Sequence, residues 1–240
     1  MTRILPYLTL VATAAFLISP YVTDPFTGFD PARFPVPQQD PPVQPAGYAF
    51  AIWGVIYLWL AVMALAGVAL RRDDPAWRPV QLPLILSLGP GAAWLWVAGF
   101  APLEATALIF WMLGTALWAL FKLPQKDRWL LQAPVALYAG WLTAAAHVSL
   151  GVALGGYGLF VPEIAAVVAL GLAVALALLV LWLRPQVLEY GAAVLWALVG
   201  VLVANLDKSL LVPAATVLAL GLVGLAIGRG LWTGQRAQGL

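Results

Sequence analysis

This sequence predicts an all-α integral membrane protein of about eight transmembrane helices. Three observations lead there. Of the 240 residues, 63% are hydrophobic and only 9% are charged, whereas soluble domains are nearer half and a quarter. Mean hydropathy is +0.95, more apolar than any water-soluble core requires, so the solvent is lipid. The apolar residues also fall in eight runs, at roughly 4–22, 47–70, 81–100, 105–122, 131–150, 160–183, 190–206 and 210–230. Most of these approach the ~20 residues that a spanning helix needs.

The first run carries Arg3 and then an apolar stretch in which Ala12-Thr13-Ala14 mimics a cleavage site. It is read as a true helix beginning near Pro6, because proline is tolerated in a first turn. Residues 20–46 follow as the one long connection, with eight prolines: Pro20, Pro25, Pro31, Pro35, Pro37, Pro41, Pro42 and Pro45. Proline lacks an N–H and resists helix, so the segment is expected to be extended. Tyr21, Phe26, Phe29 and Phe34 favour a lid packed on the helix ends over a solvated linker. The second run opens with Phe50, Trp53 and Tyr57 at i, i+3 and i+7, which share one helix face. The third contains Gly89-Pro90-Gly91 in mid-span. Proline there frees a carbonyl, so a kink is expected, and in lipid that carbonyl must find a partner inside the bundle or a wet cavity. Trp111 and Trp118 lie seven apart on the fourth run, and Tyr138 and Trp141 three apart on the fifth. The sixth opens Val161-Pro162-Glu163, a good helix start. The seventh is the shortest. The last carries Gly224-x-x-x-Gly228, a spacing that permits close helix approach within the monomer or in a homodimer.

Sidedness follows from the basic residues. Ten of the twelve Lys and Arg fall on one side of this topology, and only Arg33 and Lys208 on the other. The positive-inside rule then makes both termini cytoplasmic and turns the proline-rich loop outward. The expected location is a bacterial inner (plasma) membrane, crossed several times.

Composition also excludes chemistry. With no cysteine there is no disulfide and no thiolate. A single histidine, His147, cannot build a multi-His metal site, so no metal ligands are assigned. The basic residues are spread between apolar runs rather than clustered, which argues against nucleic acid. Membrane lipid and an apolar small molecule are the expected partners. No acid–base pair or nucleophile stands out, and no catalytic residue is assigned.

The topology places aromatics from the second to fifth helices in the outer half of one bundle, beneath the long loop. Phe50, Trp53 and Tyr57 spread over ~10 Å of the second helix. Trp94 and Trp96 sit on the third, Trp111 on the fourth, Tyr138 and Trp141 on the fifth. Belts of aromatics at the headgroups account for Trp77, Trp129 and Trp232, which flank spans near basic residues. Trp53, Trp111 and Trp141 lie inside their spans and fit a pocket wall better, where a flat apolar ligand would stack. His147 is weighed toward a structural role near the outer end of the fifth helix, with a ligand or haem-iron contact as the alternative. Asp207 and Lys208 are expected to pair in a tight turn, and Asn205 to bond a neighbouring helix. The candidate ligand residues are therefore Phe50, Trp53, Tyr57, Trp94, Trp111, Tyr138, Trp141 and His147.

Two stretches resemble the tryptophan-rich sensory protein / translocator protein family (TspO/MBR). One is Pro45-Ala46-Gly47-Tyr48-Ala49-Phe50-Ala51-Ile52-Trp53-Gly54-Val55-Ile56-Tyr57, and the other runs from Pro134 to Tyr138-Ala139-Gly140-Trp141-Leu142-Thr143-Ala144-Ala145. The sequence departs from the family where Gly91-Ala92-Ala93-Trp94 stands for its Asn-x-x-Trp, and where Ser149 replaces an Asn late in the fifth helix. The Phe50-to-Trp53 gap is one residue shorter. The resemblance implies a five-helix core over residues 1–150, roofed by loop 20–46, with three additional helices in 151–240. It implies a receptor-like protein that binds a porphyrin or other tetrapyrrole between the helices. No cofactor is required, and porphyrin or haem would be the bound molecule. A small-molecule transporter, a porphyrin-degrading enzyme and a structural or assembly subunit are the other readings. The sequence shows no paired buried acids of the kind most secondary transporters use.

Overall fold

The computed structural model describes residues 3–238, with side chains through Trp232. Nine α-helices and no strand occur among the described residues: α1 (Leu5–Val22), α2 (Ile52–Ala69), α3 (Arg78–Gly91), α4 (Trp94–Ala98), α5 (Pro102–Phe121), α6 (Ala133–Gly156), α7 (Pro162–Leu183), α8 (Leu188–Ala204) and α9 (Leu211–Gln238). Together they account for the eight apolar runs, α3 and α4 being two pieces of the third. Six of the helical segments are long and apolar enough to cross a membrane. The broken third run and the 17-residue α8 are shorter.

Proline shapes the first and third runs. Pro20 sits inside α1 and cannot bond back to Phe16, and the Ser19 hydroxyl donates to the Phe16 carbonyl instead, at 2.9 Å. In α3 the expected kink is a break: the helix stops at Gly91, turns through Ala92-Ala93 and resumes as α4. Pro90 leaves the Leu86 carbonyl without an i+4 donor, and the Trp111 indole N–H supplies one from α5 at 2.9 Å.

α6 is the central helix. All of its residues except Ala145, Val148, Leu150 and Leu154 are buried, as expected of a helix packed on every side. It is rich in Ala and Gly, and it packs against α5, α7, α8 and, more lightly, α2. At Gly140 an added Cβ would collide with the Tyr190 carbonyl of α8, so only glycine lets these two backbones approach so closely. The helices α1, α2, α3, α5 and α6 form a ring through the contacts α2–α1–α3–α5–α6–α2. Of the last three helices, α7 and α8 pack on α6, and α9 packs on α7 and α8. The expected boundary at residue 150 falls inside α6, which runs on to Gly156.

The two ends of the bundle differ. One end is laced by ion pairs: Arg71–Asp127 at 2.8 Å, Lys126–Asp74 at 2.9 Å and Arg128–Glu189 at 2.6 Å. There the chain enters α6 through a π-helical turn, Arg128–Gln132, after Asp127 in the left-handed region at φ 55°. Trp77 belongs to this end, but the belt reading does not hold for it. It is buried, and its indole N–H donates to Asp127 at 2.8 Å. Trp129 and Trp232 are exposed.

The other end carries the proline-rich loop, which is a packed lid. The Val36 N–H donates to the Gly156 carbonyl at 2.8 Å and the Ala46 N–H to the Gly200 carbonyl at 3.0 Å. Asn205 Nδ2 donates to the carbonyls of Pro42 and of Val201, both at 2.8 Å, so it holds the lid rather than a neighbouring helix. Lys208 reaches the Asp40 carbonyl at 3.3 Å rather than pairing with Asp207. Of the loop aromatics, Phe34 is buried, Phe26 and Phe29 dock, and Tyr21 lies exposed in the last turn of α1. Gly221, Gly224 and Gly228 on α9 have open space where a side chain would stand, so the small-residue spacing is not used for packing within the described chain.

Candidate functional site

A cavity of about 220 Å³ opens inside the five-helix ring, beneath the lid. Its walls follow from helix periodicity. α1 contributes Phe16 and Ser19, on the buried stripe that also holds Ala12. Phe50, in the 3-10 turn Gly47–Ala51, and Trp53 and Tyr57 of α2 line a second side. Gly91 and Trp94 come from the break between α3 and α4, and Ile109 and Met112 from α5. Trp141, Ala145 and Ser149 come from α6, and Asp24, Phe26, Phe29, Gln44 and Pro45 form the roof.

The aromatic walls interlock. Trp53 stacks on Tyr57 with centroids 5.3 Å apart and planes 23° from parallel. Phe16 stands edge-on to Trp53, Tyr57 and Tyr138 at 5.8, 5.5 and 5.8 Å. Trp141 stands edge-on to Trp53 at 6.0 Å and to Phe50 at 6.1 Å. In the roof, Phe26 meets Trp94 edge-on at 5.0 Å, and the Trp94 indole N–H is held by the Ala105 carbonyl at 2.8 Å. Such edge-to-face arrays fix ring orientation and leave flat faces for an occupant. Polar side chains other than the indoles are sparse: Ser19, Asp24, Gln44, Tyr57 and Ser149. Gln44 Nε2 donates to the Thr27 carbonyl at 3.2 Å, pinning the roof beside Gly28, whose φ of +133° only glycine adopts readily. The buried Trp141 Nε1 finds no hydrogen-bond partner among the described residues.

Five of the eight predicted residues, Phe50, Trp53, Tyr57, Trp94 and Trp141, line this cavity. The other three do not. Trp111 is 53% exposed on the outer face of α5, with Trp118 exposed on the same face. The seven-residue spacing does put Trp111 and Trp118 on one face, but the face turned inward is the one that carries Ala105, Ile109, Met112 and Ala116. Tyr138 is fully buried below the cavity, its hydroxyl 2.9 Å from the Ser87 hydroxyl. His147 is turned toward α5 and α7. Its ring lies 5.3 Å from Phe110, and it lines a separate small hollow with Ala169 and Leu170. Its Nδ1 is 2.7 Å from the Thr143 carbonyl; a carbonyl only accepts, so Nδ1 carries the proton.

Phe16 and Met112 complete the site without being among the candidates, whereas the roof residues Phe26 and Phe29 belong to the lid that the sequence suggests. For Phe16 a signal existed, since Ala12, Phe16 and Ser19 repeat at i, i+4 and i+7. Met112 carried none that separates wall from core.

The family model described as TSPO-like protein matches residues 8–228, from α1 into α9. The chain belongs to the TSPO-like family. No curated protein and no solved structure matches it. This TSPO-like protein is therefore a multi-pass helical membrane protein of TspO type, with a roofed aromatic cavity in the five-helix ring. Among the described residues no cluster of three or more His, Asp or Glu could hold a metal ion.

Proposed function

We propose that this protein is a receptor-like binder of a flat, apolar molecule, with a porphyrin or related tetrapyrrole as the preferred class. One observation carries the proposal: five large aromatic side chains from the turn Gly47–Ala51, α2, α4 and α6 wall a cavity roofed by the proline-rich loop. Stacking and edge contacts would supply most of the affinity. The proposal includes a bacterial inner membrane with both termini cytoplasmic, supported by ten of twelve basic residues on one side.

Titration of the detergent-solubilised protein with protoporphyrin IX, followed by quenching of tryptophan fluorescence, tests this reading. Trp53→Ala combined with Trp141→Ala is expected to weaken binding at least tenfold while the protein stays folded. Unchanged affinity in the double variant would remove the aromatic cavity as the site.

A further inference from the structure

One of the helices that follow α6 reaches the cavity. Ala197 of α8, 4% exposed, lines it together with residues of the five-helix ring. α8 gets there by gripping the 3-10 turn that opens α2. The Trp196 indole N–H donates to the Ala49 carbonyl at 2.8 Å, and the Tyr48 ring stands edge-on to Trp196 at 5.7 Å. One turn later Gly200 accepts from the Ala46 N–H at 3.0 Å. A Cβ on Gly200 would fall 2.8 Å from the Ala49 Cβ and 2.9 Å from the Pro45 Cβ, so the grip needs a side-chain-free surface there. Phe50 follows Ala49 directly, which ties the aromatic turn to the same helix that supplies Ala197.

We propose that α8 is a wall of the ligand site and that Ala197 sets how far an occupant extends between α2 and α6. The proposal rests on reading the cavity as a ligand site. A small side chain at 197 leaves room beside Phe50 and Trp141; a larger one would occupy the occupant's space from the α8 side. The five-helix ring alone does not define the cavity's shape, so size selectivity belongs to α8 as well.

The absence of native cysteine makes the test clean. Ala197→Cys is compared with Ala193→Cys, a fully buried α8 position one turn earlier that does not line the cavity. Each purified full-length variant is treated with methyl methanethiosulfonate, with and without protoporphyrin IX. The expected result is labelling of A197C at least tenfold faster than of A193C. Protoporphyrin IX should slow A197C labelling, and benzyl methanethiosulfonate modification of A197C should weaken porphyrin binding at least tenfold. An A197C thiol as unreactive as that of A193C would overturn the proposal. So would an A197C thiol that reacts but is not protected while the wild-type protein binds porphyrin. Failure of the wild-type protein to bind would instead remove the tetrapyrrole reading, and the two labelling rates would still decide whether α8 walls the cavity.

Discussion

Asp127 shows how much one side chain organises at the basic end. It accepts from Arg71 Nε and Nη2 at 2.8 and 3.0 Å and from the Trp77 indole, and its backbone carbonyl accepts from Leu131 and Gln132 to start the π-turn. The hydrogen bond to Arg71 is the main cause that holds its carboxyl down from 3.8 to about 2, with Trp77 assisting against desolvation. A depressed carboxylate contributes stability that is fully present above its unfolded value and is lost as pH falls through its folded value. The wild-type protein should therefore lose stability between about pH 4 and pH 2. Asp127→Asn should flatten that dependence and cost on the order of 1 kcal/mol at neutral pH, since solvent screens the pair. Asn tolerates the left-handed backbone, so the substitution isolates the charge. Chemical unfolding across pH in detergent reads both effects. Trp111 makes a related point. Its indole completes the hydrogen bonding that Pro90 disrupts, so a tryptophan inside a span can serve a backbone carbonyl instead of a ligand.

At the scale of elements, close packing of α6 on α8 depends on the absence of a side chain at Gly140. Gly140→Ala would drive a methyl into the Tyr190 carbonyl and should cost about 1–3 kcal/mol. Gly114 on α5 is the control: nothing lies within 4 Å of an added Cβ there, so Gly114→Ala should be neutral or stabilise by up to ~1 kcal/mol. Thermal unfolding of the two variants side by side separates a helix-contact effect from helix propensity. The lid divides the same way. Its second half is bonded to α6 and α8 through Val36, Pro42 and Ala46. Its first half rests on ring contacts of Phe26 and Phe29 with Trp94 and on the single Gln44–Thr27 bond.

For the whole molecule, the two ends carry opposite characters. Arg71, Lys126, Arg128 and Arg184 gather at one end, and Arg184 donates to the Phe121 and Leu123 carbonyls that close α5. At the lid end Lys208 donates to the Asp40 carbonyl and Arg33 stands 3.7 Å from Asp30. A green fluorescent protein fused to the C-terminus should fluoresce in a bacterial host, and an alkaline phosphatase fused there should be inactive. The reverse pattern would place the lid in the cytoplasm and invert the proposed topology.

Hydropathy alone determined that the chain is a helical membrane protein with eight apolar segments, because spanning length is imposed by bilayer thickness. The shared face of Phe50, Trp53 and Tyr57 was equally legible, because it depends only on helix periodicity. Tertiary structure alone decided which faces turn inward. Trp111 and Trp141 are both mid-span tryptophans, yet one faces outward and bonds a freed carbonyl while the other lines the cavity. Hydrophobicity cannot separate them, because lipid and protein interior are similarly apolar surroundings; packing and backbone hydrogen bonding do. The same holds for Ala197, an unremarked small residue until α8 is folded against the turn that opens α2.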